Sequence, residues 1–214
     1  FKQKTAYEIS RSDWSSDGAL PISLQQASTE LDSQQAAAEA QAAVTEEKRK
    51  AYEQATAALD AYLKAQSQKY QDPARHCSLD FTCPLPSVGR ISTYFGEPDA
   101  VYNKPHTGAD MPAASGTLIY AVADGVVSAA SARPSYGNCV QIDHGTADDG
   151  SSYATLYAHM SSFCVSAGQT VHKGDVIGYV GNTGDVRGAN GGYHLHLELR
   201  INGTRTDPLQ YIPH

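Results

Sequence analysis

Hydrophobic and polar residues follow two different rhythms along this chain, and the change between them marks its organisation. Residues 24–70 contain no Gly and no Pro and are rich in Ala, Gln, Glu and Lys, a composition that forms helix. Tyr52, Ala55, Leu59, Tyr62, Leu63 and Tyr70 fall mostly at three- and four-residue steps and make one apolar stripe. Ser23-Leu24-Gln25-Gln26, just after Pro21, reads as a capping box that starts the helix, and Pro73 stops it. Unbroken, such a helix is about 70 Å long at ~1.5 Å per residue. A rod of that length cannot cover its stripe against one small domain. The pattern therefore predicts self-pairing, a protein partner or a folded-back hairpin. A spacer or docking arm fits this segment, and so does a plain linker helix.

From Cys83 onward the rhythm shortens. Pro84 and Pro86 close the helical region, Gly becomes frequent, and short apolar or alternating runs cover 118–122, 125–129, 139–142, 154–157, 176–180 and 194–201. Each is bounded by Gly, Asp, Asn or Ser, the mark of strands joined by polar turns. The expected fold class is α+β: a mainly antiparallel β sandwich or partly open barrel, preceded by a long N-terminal α-helical, coiled-coil-like segment. The boundary falls near residues 72–84, giving a helical arm over 1–80 and a β domain over 81–214.

Composition narrows the function classes. The formal net charge is -7 over 214 residues, with no Lys/Arg-rich run, which argues against a nucleic-acid partner. No apolar run approaches the ~20 residues that span a bilayer. The sequence starts at Phe1 without a basic-then-apolar leader, which is compatible with a removed signal peptide or a membrane anchor outside this sequence. The four cysteines, Cys77, Cys83, Cys139 and Cys164, form no CxxC pair. Their even number and one close pair favour disulfides, Cys77–Cys83 with Cys139–Cys164 among the three pairings, over four buried thiols. Disulfides imply an extracytoplasmic location: periplasm, cell wall or secreted.

The residues able to carry chemistry lie in three stretches. In Tyr193-His194-Leu195-His196-Leu197-Glu198-Leu199 polar and apolar residues alternate, as in a half-buried strand. His194 and His196 then share one face, about 7 Å apart along the strand, with the leucines turned to the core. They are either parts of one metal centre or two solvent-exposed histidines. The second stretch, His106-Thr107-Gly108-Ala109-Asp110, offers a His and a carboxylate four positions apart, with Pro105, Gly108 and Pro112 arguing against helix. Fully extended, the two Cα atoms would be ~13 Å apart, so Gly108 is read as a bend or bulge that draws the side chains together. The third stretch, Leu156-Tyr157-Ala158-His159-Met160, ends a short run on a His. Together they allow a His₂-carboxylate zinc set of His106, Asp110 and His196 with a fourth position open. His159 and His194 are left over to move protons or steady charge. His144 reads as a turn residue, His76, His172 and His214 as surface, and Tyr102 or Asn103 could reach the site.

Over residues 89–208 the ordered motifs HTGAD, LYAHM and HLHLE, with the Gly-rich run from Val165 to Gly184, resemble the M23 (lysostaphin/LytM-type) metallopeptidases. That resemblance implies one zinc ion on His106, Asp110 and His196, catalysis by His159 and His194, and hydrolysis of stem or cross-link peptides of bacterial peptidoglycan. Leu197 stands where the family often has an aromatic. The competing expectation is a non-cleaving or autoinhibited relative that activates another cell-wall hydrolase. If the arm gates the cleft, removing residues 1–80 should raise activity.

Overall fold

The computed structural model describes residues 22–72, 74–98, 104–186 and 189–214, which fall into two compact units divided between Ala51 and Tyr52. Helix α1 (Ile22–Tyr70) runs through both. In the first unit the described side chains, residues 29–51, are nearly all exposed. The side chains of residues 22–28, and with them the Ser23 capping box, lie outside the described residues, as do Pro73, Tyr102 and Asn103. Among the described residues no helix is long and apolar enough to cross a membrane.

The second unit, Tyr52–His214, contains a nine-stranded sheet. Its strands are β1 (Ala109–Pro112), β2 (Leu118–Tyr120), β3 (Gly125–Arg133), β4 (Gly137–Thr146), β5 (Ser152–Phe163), β6 (Thr170–Val171), β7 (Val176–Val180), β8 (His194–Ile201) and β9 (Thr204–Thr206). The main path runs β1-β8-β5-β4-β3-β6, while β7 leaves it to pair with β5 and β2, and β9 pairs with β8. All these pairings are antiparallel. The apolar runs 176–180 and 194–201 match β7 and β8 residue for residue. Strands β1, β6 and β9, of two to four residues, lack enough alternating residues to announce themselves.

The sheet is buried on both faces. Met111, Ile142, Tyr157, Leu195, Leu197 and Leu199 belong to the larger core. On the other side Leu59 and Leu63 of α1 pack with Tyr136, Cys139, Leu156 and Ala158, with Tyr62 against them. This overturns two expectations. The stripe of α1 needs no coiled-coil partner over residues 59–63, because the sheet itself covers it. The polar face of β8 is also not open to solvent: Leu156 pairs with Glu198 and Ala158 with His196, so those polar side chains share the helix-covered face. His196, Glu198 and Arg200 are all buried.

Polar contacts reinforce the docking of α1. Gln141 Nε2 donates to the Leu63 carbonyl at 3.2 Å, Ser67 donates to Asp143 at 2.8 Å, and the Arg133 guanidinium lies 3.6 Å from the Tyr62 ring centre. The helix end is thus part of the same compact unit as the sheet rather than a removable arm. Deleting residues 1–80 would strip Leu59 and Leu63 from a packed core.

The cysteines do not pair; all four are free thiols. Cys139 sits in the helix-side core with its thiol donating to the Ser131 carbonyl. Cys164 is exposed and donates instead to the Val176 carbonyl. Burial pushes the Cys139 thiol up to about 11, which keeps it protonated and unreactive. His144, expected in a turn, lies inside β4 and is buried. Its Nδ1–H donates to the Asp124 carbonyl at 2.8 Å, and its Nε2 accepts from Thr155 at 2.8 Å.

Two outcomes follow. Leu63→Ala should cost about 2–5 kcal/mol of stability, read from denaturant unfolding, although residue 63 belongs to no candidate motif. Burial holds the His144 pKa down at about 4, below its unfolded value of ~6.5, so the unfolded chain binds the extra proton first. The stability this residue supplies is complete above ~6.5 and is lost as pH falls to about 4. It amounts to about 3 kcal/mol between about pH 8 and about pH 4. His144→Gln should show an acid-induced loss smaller by about that amount.

Candidate active site

Strand pairing brings the separated motifs together. In the β1–β8 ladder Asp110 stands opposite His196 and Pro112 opposite His194. Before β1 the chain bends at Thr107 and Gly108, and the bend turns His106 back over the ladder. Glycine is required there by close approach: a Cβ on Gly108 would lie 2.2 Å from the Leu197 carbonyl oxygen. The result is a focus on one carboxylate oxygen. Asp110 Oδ1 is 3.0 Å from His106 Nε2 and 2.8 Å from His196 Nδ1. The ligand-capable atoms of these three residues all lie within 4.8 Å of one another.

His159 and His194 flank this focus. Their ring centres are 4.8 Å apart, and the His159 ring is 5.8 Å from that of His196. His159 has φ 58°, a left-handed conformation that a non-glycine residue in a strand adopts at a cost of about 1–3 kcal/mol. Two bonds hold it there: its N–H donates to the Tyr136 carbonyl at 2.9 Å, and its Nδ1–H donates to the Thr183 carbonyl at 2.8 Å. His194 is fixed in the same manner, Nδ1–H donating to the Gly192 carbonyl at 2.7 Å. A carbonyl can only accept, so Nδ1 carries a hydrogen in both rings and Nε2 is the nitrogen left to face the cleft. Burial, followed by the neighbouring His196 and His194, pushes the His159 pKa down to about 3. The ring is therefore neutral near pH 7. A cleft of about 370 Å³ is bordered by all five residues and by Tyr52 of α1.

The model of peptidase family M23 fits residues 104–208, a span that includes all five residues. The chain carries a peptidase family M23 domain. It is 42% identical over 123 residues to the DD-carboxypeptidase/endopeptidase Mpg of Neisseria meningitidis, covering 56% of this chain and 26% of Mpg. It is also 34% identical over 129 residues to the murein hydrolase activator NlpD of Escherichia coli, covering 60% of this chain and 30% of NlpD. A solved zinc-containing peptidase from Vibrio cholerae superposes with a TM-score of 0.52 at 27% identity, over 59% of this chain and 38% of that one. The chain thus spans between a quarter and a third of the length of these curated relatives.

Behind the M23 histidines lie residues that the motif reading passed over. Glu198, fully buried, accepts from Tyr136 OH at 2.7 Å and has Oε1 3.5 Å from His196 Nε2. Thr107 Oγ1 lies 3.3 Å from the same nitrogen and 3.1 Å from Tyr136 OH. Burial works against charge on His196, yet the Asp110 and Glu198 carboxylates outweigh it and hold its pKa up at about 9. Burial likewise opposes the Asp110 anion, and the bonds from His106 and His196 overcome it, holding that carboxyl well below its usual range. Glu198 was within reach of the sequence, since the alternation that pairs His194 with His196 puts residue 198 on their face. Nothing in the sequence marks Tyr136.

Two imidazole nitrogens and a carboxylate oxygen make a donor set that zinc accepts. A carboxylate behind a ligand histidine is a common support for such a set. Gly108→Ala should force β1 away from the Leu197 carbonyl, costing about 1–3 kcal/mol. Thermal unfolding of the purified variant measures the loss.

Proposed function

We propose that this M23 chain is a zinc-dependent endopeptidase that hydrolyses stem or cross-link peptides of bacterial peptidoglycan, working outside the cytoplasm. In this reading His106, Asp110 and His196 hold one zinc ion, and His159 and His194 act on substrate. The observation that carries it is the convergence of His106 Nε2 and His196 Nδ1 on Asp110 Oδ1, at 3.0 and 2.8 Å, with two further imidazoles alongside. The chemistry such an ion supplies is Lewis-acid stabilisation of negative charge and acidification of water.

The chain's own groups account for the proton movements. His159, kept neutral by burial, offers Nε2 as the base that takes a proton from the attacking water and returns it to the leaving amine. His194 Nε2, once protonated, donates to the developing oxyanion. The Nδ1–H bonds to the Thr183 and Gly192 carbonyls keep both rings in the tautomer this exchange needs. Peptide substrates enter along the cleft that Tyr52 borders.

A second reading has one observation in its favour, the similarity to the activator NlpD. In it the chain binds a cell-wall hydrolase or a second copy of itself through α1 and cleaves nothing. The residues complete for catalysis favour the enzyme.

The decisive experiment measures zinc content and release of fragments from defined muropeptides, with and without EDTA. The expected outcome is about one zinc per chain and EDTA-sensitive cleavage. His196→Ala should lose both metal and turnover. His194→Ala should keep the metal and lose about 10²–10⁴-fold in kcat. Full activity in His194→Ala would refute the assigned roles, and a zinc-loaded protein that cuts no muropeptide would favour the activator.

A further inference from the structure

The contacts around Glu198 continue outward to helix α1. Arg200 donates to Glu198 Oε2 through Nε at 3.1 Å and Nη2 at 2.6 Å. Arg205 donates to Oε1 through Nε at 3.1 Å. The two guanidiniums then meet on one atom of α1: Asp60 Oδ1 accepts from Arg200 Nη2 at 2.8 Å and from Arg205 Nη2 at 2.7 Å. Arg205 Nη2 also reaches Tyr136 OH at 3.3 Å. Two carboxylates and two guanidiniums thus form a neutral cluster against the back of His196. Glu198 and Arg200 are buried within it, while the Asp60 and Arg205 side chains keep 34% and 21% exposure.

We infer that Asp60 of α1 is a positioning residue for the His106–Asp110–His196 centre, acting through Arg200, Arg205, Glu198 and Tyr136. Charge balance makes Asp60 matter, because the inner members of the cluster, Glu198 and Arg200, are buried. Without the Asp60 carboxylate, two guanidiniums face the single carboxylate of Glu198, and their mutual repulsion is weakly screened. At least one of them must move, and both are bonded to Glu198. Glu198 Oε1 is shared by Arg205 and the Tyr136 hydroxyl, and that hydroxyl contacts Thr107, whose Oγ1 faces His196 Nε2. A displacement at Asp60 therefore arrives at the ring whose Nδ1 lies on Asp110. A partner that pulled α1 off the sheet would deliver the same signal, which makes this segment of the helix a control point for the centre. The inference rests on the peptidase reading for the role of His196, but its test does not require turnover.

The experiment compares the full chain with Asp60→Asn and Asp60→Glu. In the metal-free proteins the imidazole resonances of His196 report the network directly, and those of the buried His144, which packs against Phe81 in the other core, report general integrity. Asp60→Asn is expected to shift the His196 signals and leave those of His144. Zinc affinity, read by competition with a chelator, should fall about tenfold, and kcat should fall with KM little changed. Asp60→Glu should restore most of each effect. Unchanged His196 signals and zinc affinity in Asp60→Asn would overturn the inference. A loss that moves His144 equally, or that Asp60→Glu fails to rescue, would overturn it too. A wild-type protein that binds zinc without cleaving, yet shows the His196 response in Asp60→Asn, would refute the peptidase reading and support this inference.

Discussion

The fully buried carboxylate of Glu198 sets a demand that much of the surrounding structure answers. An ionised carboxylate taken out of water costs several kcal/mol unless partners replace its hydration. Arg200, Arg205, the Tyr136 hydroxyl and the neighbouring His196 are those partners. They hold the Glu198 carboxyl well below its usual range despite burial. Two guanidiniums around one anion leave an excess positive charge, which Asp60 offsets from the helix. The docking of α1 on the sheet is accordingly electrostatic as well as apolar. Leu59 and Leu63 are buried against the sheet, and Asp60, between them in sequence, carries its charge to the edge of that contact.

Seen from this cluster, the boundary between helix and peptidase domain is not where composition changes. Helix-forming residues continue to Tyr70, but the compact unit already begins at Tyr52. The last turns of the helix act as a third layer over the polar face of β8. An M23 centre built on an otherwise two-sided sheet gains a roof that keeps His196 and Glu198 dry, and Tyr52 carries that roof to the rim of the cleft.

How much of this was legible in the sequence depends on the range of the interaction. Period-two alternation in HLHLE is local, so β8, the shared face of its histidines and the inward leucines could be read directly. The bend at Gly108 was legible for the same reason, since a helix was excluded and an extended chain could not close the His106–Asp110 distance. What alternation could not reveal was the cover on the polar face. That depends on Asp60 meeting Arg200 and Arg205 across 140 and 145 positions, and no periodicity encodes a pairing at such separation. The free cysteines and buried His144 fail for a related reason: pairing and burial are set by which strands meet, not by counting residues or by a neighbouring Gly. The long helix misled because its composition is uniform while only part of its stripe is packed.

The centre divides its geometric requirements between two kinds of support. Asp110 and His196 are neighbours in a strand ladder, where backbone hydrogen bonds fix the separation, and His106 is turned onto them by a bend that only glycine fits. The two remaining imidazoles take their orientation from carbonyls of the segment following β7, at Thr183 and Gly192. Thr183 is itself pinned, because its Oγ1 donates to the Met160 carbonyl at 2.7 Å and accepts from the Asn138 N–H at 2.9 Å. It also presses so close to Gly137 that a Cβ there would lie 2.2 Å from Thr183 Oγ1. The strain at His159 is held in place by the same contacts. Such a centre can change its cleft loops without disturbing the β1–β8 ladder, whereas any change at Tyr136 touches both halves. Its carbonyl holds the His159 backbone, and its hydroxyl bridges Thr107 and Glu198. Tyr136 is therefore the residue through which the charge cluster under His196 and the strained turn at His159 are mechanically one unit.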